Sequence, residues 1–268
     1  MRFVVIAAPR SGSTFIERFL HAQDDIFCNG EVFHRKKAYL SWPERDLTET
    51  VQAELETLRA KPKQLIERVY SMSYGRAHVG FKLLLYHAPE ALDALVADPN
   101  VKKVLLFRQN AMASYASDRV ANETQTWQIE AGKKLPSIPK VRFDEKDFQR
   151  FWRRRSNAYR RVAKKLTDSG QPFHMIHYEE ISEPVFLASL LCFIGANAGT
   201  ARYNAPLQKI GSTDVVSRFA NPDEVLHFLS SNDLLHWTHE ATTVLPKWLR
   251  APTEGSAQRT GTLRAPAA

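Results

Sequence analysis

The stretch "FVVIAAPRSGSTF", residues 3–15, changes character twice within one short run. Residues 3–8 are apolar and rich in β-branched side chains, the composition of a strand buried on both faces. Pro9-Arg10-Ser11-Gly12-Ser13-Thr14 then forms a small polar turn, and Phe15, Ile16, Phe19 and Leu20 recur at helical spacing. Strand, glycine turn and helix make up half of a βαβ unit. A turn of this kind presents backbone N–H groups at a helix start, where they attract an anion.

The rest of the chain extends the pattern. Apolar runs at 79–85 and 101–107 each precede a helical pattern, and a run at 173–178 precedes another at about 184–194. Strands alternating with helices predict a single three-layer α/β domain, a central, mainly parallel β-sheet flanked by helices. Between the first two strands, Leu47, Val51, Leu55, Leu58, Leu65 and Val69 mark one amphipathic helix, or a helical pair broken near Pro62. Phe148, Phe151, Trp152, Tyr159, Val162 and Leu166 form a further apolar stripe. Around it lie Arg150, Arg153, Arg154, Arg155, Arg160, Arg161, Lys164 and Lys165, which read as a solvated face, with contact to substrate or membrane as the alternative. Residues 128–145 read as a long loop and a candidate lid. The run 251–268 lacks periodicity and large apolar residues and reads as a disordered tail, leaving 1–250 as one domain.

The chain has 268 residues, and 37 Lys+Arg against 29 Asp+Glu give a net charge of +8, which biases partners toward anions without choosing among them. Cys28 and Cys192 are too few for a disulfide framework and lack metal-ligand spacing, so buried thiols are expected. The first apolar run enters a glycine turn, as a first strand does and a signal peptide does not, and no stretch has the length of a membrane span. A reducing, cytoplasmic setting is the expectation.

The opening turn is not a Walker A loop, whose lysine after the second glycine reaches the nucleotide phosphates; here no lysine follows Gly12. It resembles instead the 5′-phosphosulfate loop of sulfotransferases that use 3′-phosphoadenosine 5′-phosphosulfate (PAPS). In that loop a basic residue, a hydroxyl residue, a glycine and two further hydroxyl residues precede a helix. By this resemblance Arg10 takes the basic position, and Ser11, Gly12, Ser13, Thr14 and Phe15 surround the phosphosulfate. The segment "LLFRQNAMASYAS", 105–117, resembles the 3′-phosphate motif of bacterial carbohydrate sulfotransferases, including the nodulation-factor, lipopolysaccharide and trehalose types. It implies Arg108 and Ser117 as phosphate ligands, with Ser114 as a secondary hydroxyl. Fainter echoes follow in order: "NGEVFH" (29–34), "VGFKLL" (79–84), "IHYEEIS" (176–182), and "QKIGSTDVVSRFANPDEV" (208–225), a late segment closing over the nucleotide and supplying Lys209.

The resemblance implies a P-loop-like sulfotransferase fold and transfer of a sulfuryl group from PAPS to a hydroxyl of a carbohydrate, glycolipid or small alcohol. Arg10 and Lys82 would face the charge growing on the leaving oxygen, with Glu31 as general base and His34, then His87, as its rivals. No metal is called for. Lys82 has a plainer reading as an edge-strand lysine, Glu179-Glu180 as a cap and Trp127 as a core anchor. A small-molecule kinase would share the sheet and the turn, and a non-catalytic nucleic-acid binder would use the basic helix; the missing loop lysine weakens the first, and nucleic acid is not the expected partner. Peripheral membrane contact and a homodimer stay open.

Overall fold

Residues Arg2–Ala7 form β1, the middle strand of a five-stranded parallel sheet ordered β2-β3-β1-β4-β5. The computed structural model describes residues 1–41, 48–134, 136–203, 207 and 209–240. The tail read as disordered, 251–268, lies outside them. Val4 and Ile6 point to one face of the sheet and Phe3, Val5 and Ala7 to the other, and all are buried, which is why the run shows no polar alternation. The other strands are β2 (Ile26–Glu31), β3 (His78–Leu84), β4 (Val101–Phe107) and β5 (Phe173–His177), all paired in parallel.

On one face α1 (Ser13–His21) and α7 (Pro184–Ile194) pack Ile16, Phe19, Leu20, Leu190 and Leu191 against Phe3 and Val5. On the other lie α2 (Thr48–Leu58), α3 (Pro62–Ser71), α4 (Pro89–Ala97) and α6 (Glu145–Asp168). The helical pair is realised, with Pro62 in the first turn of α3, where its missing N–H costs nothing. A third core stands apart from the sheet. There α5 (Ala111–Thr124) and α8 (Pro222–Ser231) enclose Val141, Phe143, Phe148, Phe219 and Trp237.

Several expectations are corrected. β2 has no β-branched run after Ile26 and ends in Asn29-Gly30-Glu31, so the sequence showed an acidic motif where the chain pairs as an edge strand. β3 is flanked by β2 and β1, which removes the edge-strand reading of Lys82. Trp127 is 48% exposed and anchors no core. Cys28 is buried, but Cys192 is exposed. The end of the 128–145 stretch is no free lid, because Val141 pairs with Phe219 and is buried with Phe143. Arg155 departs from the solvated face of α6 and is buried.

The connections set the site. From β1 the chain crosses through α1 to β2 on one side of the sheet, whereas from β4 it crosses through α5 and α6 to β5 on the other. Loops leaving β1 and β4 therefore diverge, and a crevice opens above the carboxyl ends of these strands.

Candidate active site

The turn after β1 is held from behind. Ser11 Oγ donates to Ala8 O (2.7 Å), Arg155 Nη1 to Pro9 O (3.0 Å) and Arg108 Nη1 to Arg10 O (2.8 Å). Ala8 N donates to Tyr159 Oη (3.0 Å), which itself donates to Leu106 O (2.8 Å). Three successive carbonyls are thus drawn toward α6, β4 and the loop itself. Arg10 lies at φ 61° and Gly12 at φ 84°, and a left-handed arginine costs about 1–2 kcal/mol, which these tethers offset. Gly12 caps α1 without a side chain, so the positive end of the helix dipole faces the crevice. A Cβ on Gly12 would come within 2.8 Å of both Tyr178 and Ile181.

The named loop residues divide by what they already touch. Ser11 is fully buried with its hydroxyl turned to the backbone, so it shapes the loop and does not face an anion. The N–H of Phe15 donates to Gly12 O at 3.0 Å, and its ring packs in the α1–α7 layer. Ser13 opens α1 and is buried. Arg10 Nε donates to Ser117 Oγ (3.0 Å) and Nη1 to Trp127 O (2.9 Å), its guanidinium 5.8 Å from the indole ring. Burial, then the neighbouring Arg108, lowers the pKa of Arg10. Ser114, the secondary hydroxyl candidate, is fully buried and donates to Asn110 O, so it is unable to reach a ligand.

Beside the loop lies a compact acid–base cluster. Lys82, 3% exposed on an interior strand, donates to Thr14 Oγ1 (3.1 Å) and pairs with Glu17 (2.9 Å) and Glu31 (3.3 Å). Glu31 comes into register with Lys82 through a bulge, the β2–β3 pairing shifting between Asn29 and Glu31. Its other oxygen lies 4.0 Å from His87 Nδ1, and the His87 ring meets that of His34 edge-on at 5.4 Å. Burial lowers the pKa of His87, favouring neutral imidazole. The sequence had marked every member except Glu17, whose signal is its place one turn after Thr14 on the inner side of α1.

On the β4 side Arg108 is sealed in. Its side chain is 5% exposed, lies 4.0 Å over the Tyr178 ring, and pairs through Nη2 with Glu240, itself 6% exposed. Glu240 also pairs with Arg218 Nη2 and, at 3.5 Å, with Lys209 Nζ. Burial pushes the Glu240 carboxyl up, but Arg108, Arg218 and Lys209 outweigh it and hold it down at about 2. Glu179, just after Tyr178, is pushed up to about 7 by burial. Arg108 Nε is buried without a hydrogen-bond partner among the described residues. The two motif arginines therefore share one crevice wall, while Ser117 binds Arg10 rather than joining Arg108 in a clamp. Asn110 and Tyr115 of the same motif are structural. Asn110 caps α5, accepting from Ala113 N at 2.8 Å, and Tyr115 lies in the third core, donating to Asp147. Glu240 had no mark in the sequence, Arg218 lay without a role of its own in the late segment 208–225, and Arg155 was read as part of a solvated face, since their partners lie far away along the chain. Among the described residues no group of three or more His, Cys, Asp or Glu side chains could hold a metal ion, and no helix is long and apolar enough to cross a membrane.

No family model matches the chain. It is similar to nodulation protein H of Rhizobium tropici, 27% identical over 217 residues that span 77% of this chain and 80% of the relative. Nodulation protein H of Rhizobium meliloti (strain 1021) is 24% identical over 206 residues, 73% of this chain and 78% of the relative. A crystal structure of a sulfotransferase from Alicyclobacillus acidocaldarius superposes with a TM-score of 0.49 at 18% identity, covering 88% of this chain and 98% of that one. The nodulation relatives bear out the resemblance, read from the motifs, to bacterial sulfotransferases of that type.

Proposed function

We propose that the protein is a sulfotransferase that moves a sulfuryl group from PAPS to a hydroxyl of a carbohydrate or glycolipid. The observation that carries the reading is the convergence of Thr14, Lys82 and Glu31 at the mouth of the loop after β1. In the proposed step the acceptor oxygen forms a bond to sulfur as the bond from sulfur to the phosphate oxygen breaks. The hydroxyl proton passes to Glu31, and adenosine 3′,5′-bisphosphate leaves. Charge gathers on the departing oxygen, where positioned cations act most strongly. Lys82 and Arg10 supply them, with Thr14 orienting the group.

Glu31 suits the role of base because Lys82 already has Glu17 as a second partner: two carboxylates share one ammonium, leaving proton-accepting charge on the pair. On the donor side, Arg10, Ser13, Thr14 and Gly12 would cradle the phosphosulfate, and Arg108 with Lys209 the second phosphate. The unpartnered, buried Nε of Arg108 and the capless first turn of α1 fit an anionic ligand with two phosphate ends. A kinase would need the loop lysine that this turn lacks. The test is transfer of labelled sulfate from PAPS in a screen of glycan and glycolipid acceptors. Label in an acceptor from wild type, and none from Lys82→Met, supports the proposal; label transferred from the γ-position of ATP instead overturns it.

A further inference from the structure

Arg108, Arg218 and Lys209 come from β4, from the turn after residue 215 and from the segment before it, yet all three meet on one carboxylate. Glu240 is placed there with care. Its N–H donates to Thr213 O (2.9 Å), Val215 N donates to Thr238 O (2.8 Å), and Asn110 Nδ2 holds both Trp237 O (2.9 Å) and His239 O (2.8 Å). The backbone is fixed at each residue from Trp237 to Glu240, and Trp237 is locked into the third core. Two buried cations, Arg108 and Arg218, together with the more exposed Lys209, face the one carboxylate of Glu240, so positive charge is in excess there, and burial pushes the nearby Glu179 carboxyl up to about 7. An unpaired buried charge is costly, so this surplus marks a place for a further anion.

Arg108 nonetheless has only its buried Nε unengaged as the side chains stand. Nη1 is on Arg10 O, Nη2 is on Glu240, and the Tyr178 ring covers the plane. Arg10 O and the ring belong to the loop and to the turn after β5, which the fold fixes; the carboxylate alone is an anion that another anion can replace. We propose that Glu240 is a specificity-determining residue, an internal occupant of the second-phosphate position, which a donor must displace from Arg108 in order to bind. This inference rests on the donor reading above. The exchange is a side-chain rotation: Glu240 releases Arg108 and keeps Arg218 and Lys209, while a phosphate oxygen takes its place on Nη2. A nucleotide with only a 5′-phosphate has nothing to offer Arg108 and leaves the pair intact. Selection thus comes from a competitor built into the chain as well as from attraction.

Full-length wild type and Glu240→Gln are titrated calorimetrically with adenosine 3′,5′-bisphosphate and with adenosine 5′-phosphate. Removing the competitor should tighten the bisphosphate on the order of tenfold, because the binding-competent form no longer has to be released, and leave the monophosphate unchanged. Unchanged or weaker bisphosphate binding by the variant overturns the inference. Since the variant leaves Arg108 without its partner and risks misfolding, a crystal structure of wild type with the bisphosphate gives a second reading. Arg108 on a phosphate with Glu240 turned away supports displacement; Arg108 still on Glu240 refutes it, even with nucleotide bound. Absence of bisphosphate binding by wild type would instead refute the donor reading on which the inference rests.

Discussion

In the proposed transfer Lys82 is the residue on which the chemistry turns, and its surroundings separate its two jobs. It neutralises Glu17 and Glu31, and it holds Thr14 at the loop. Lys82→Met should lower turnover by about 10²–10³, the loss expected for one electrostatic contact to a developing charge. It should also destabilise the fold by roughly 3–5 kcal/mol, since two carboxylates then face each other in a buried place. Adding Glu17→Gln should restore most of the melting temperature and none of the turnover; recovery of both would make Lys82 purely structural. Glu31→Gln keeps the shape and an acceptor oxygen for Lys82 but removes the proposed base. Its expected effect is a fall in kcat of about 10²–10⁴ with bisphosphate affinity unchanged. If His34→Ala or His87→Ala gave that fall and Glu31→Gln did not, the base would be the histidine. The sequence disclosed this group unevenly, and for a physical reason. Lys82 and Glu31 lie in short motifs on strands, whereas Glu240 acts on Arg108 across 132 positions, a distance at which only folding makes them neighbours.

At the scale of elements, the turn at the end of β5 holds two titrating groups of opposite effect. Burial holds His177 down at about 4 against an ordinary 6.5, and pushes Glu179 up from 4.5 to about 7. Between pH 4 and 6.5 the unfolded chain keeps a proton on His177 that the folded chain lacks, so stability rises with pH. Between 4.5 and 7 the folded chain keeps a proton on Glu179 that the unfolded chain has lost, so stability falls. The two slopes oppose each other where the windows overlap. Glu179→Gln removes only the second, so the melting temperature of the variant relative to wild type should climb from pH 4.5 to 7 and level off on either side. A difference independent of pH would mean that Glu179 titrates normally. The same elements show how far the fold was legible. β1, β3, β4 and β5 were plain because strands buried on both faces need unbroken apolar runs. β2 was not, because an edge strand that ends at a bulge has little need of β-branched residues and carries Asn-Gly where the register slips. Periodicity also hid Arg155, since an arginine among eight other cations on α6 has no local feature to show that it turns inward to Pro9.

The molecule as a whole argues against its own basic charge as a sign of nucleic-acid binding. Several cations of α6 have partners within the chain: Arg150 with Asp147, Arg154 over Tyr86, Lys164 with Asp168 and Lys165 with Asp93. A phosphate backbone would have to compete for them. The crevice above β1 and β4, in contrast, holds Arg10, Arg108, Arg218 and Lys209, partly or wholly buried, and the last three of these share the carboxylate of Glu240. An anion there finds charge already desolvated and positioned by three packed cores. A ligand that binds only the folded chain stabilises it by about 2.7 kcal/mol at a hundred times its Kd, which for a domain of this size is a rise of about 5–10 °C. Adenosine 3′,5′-bisphosphate should give that rise at 150 mM salt, where adenosine 5′-phosphate and ATP give less and single-stranded DNA gives none. The order follows from the crevice: the loop offers no lysine for a γ-phosphate, and the second basic centre matches a phosphate at the other end of the nucleotide. A larger rise with ATP would move the activity to phosphoryl transfer, and a rise with DNA that vanishes as salt increases would move function out of the crevice and onto the face of α6.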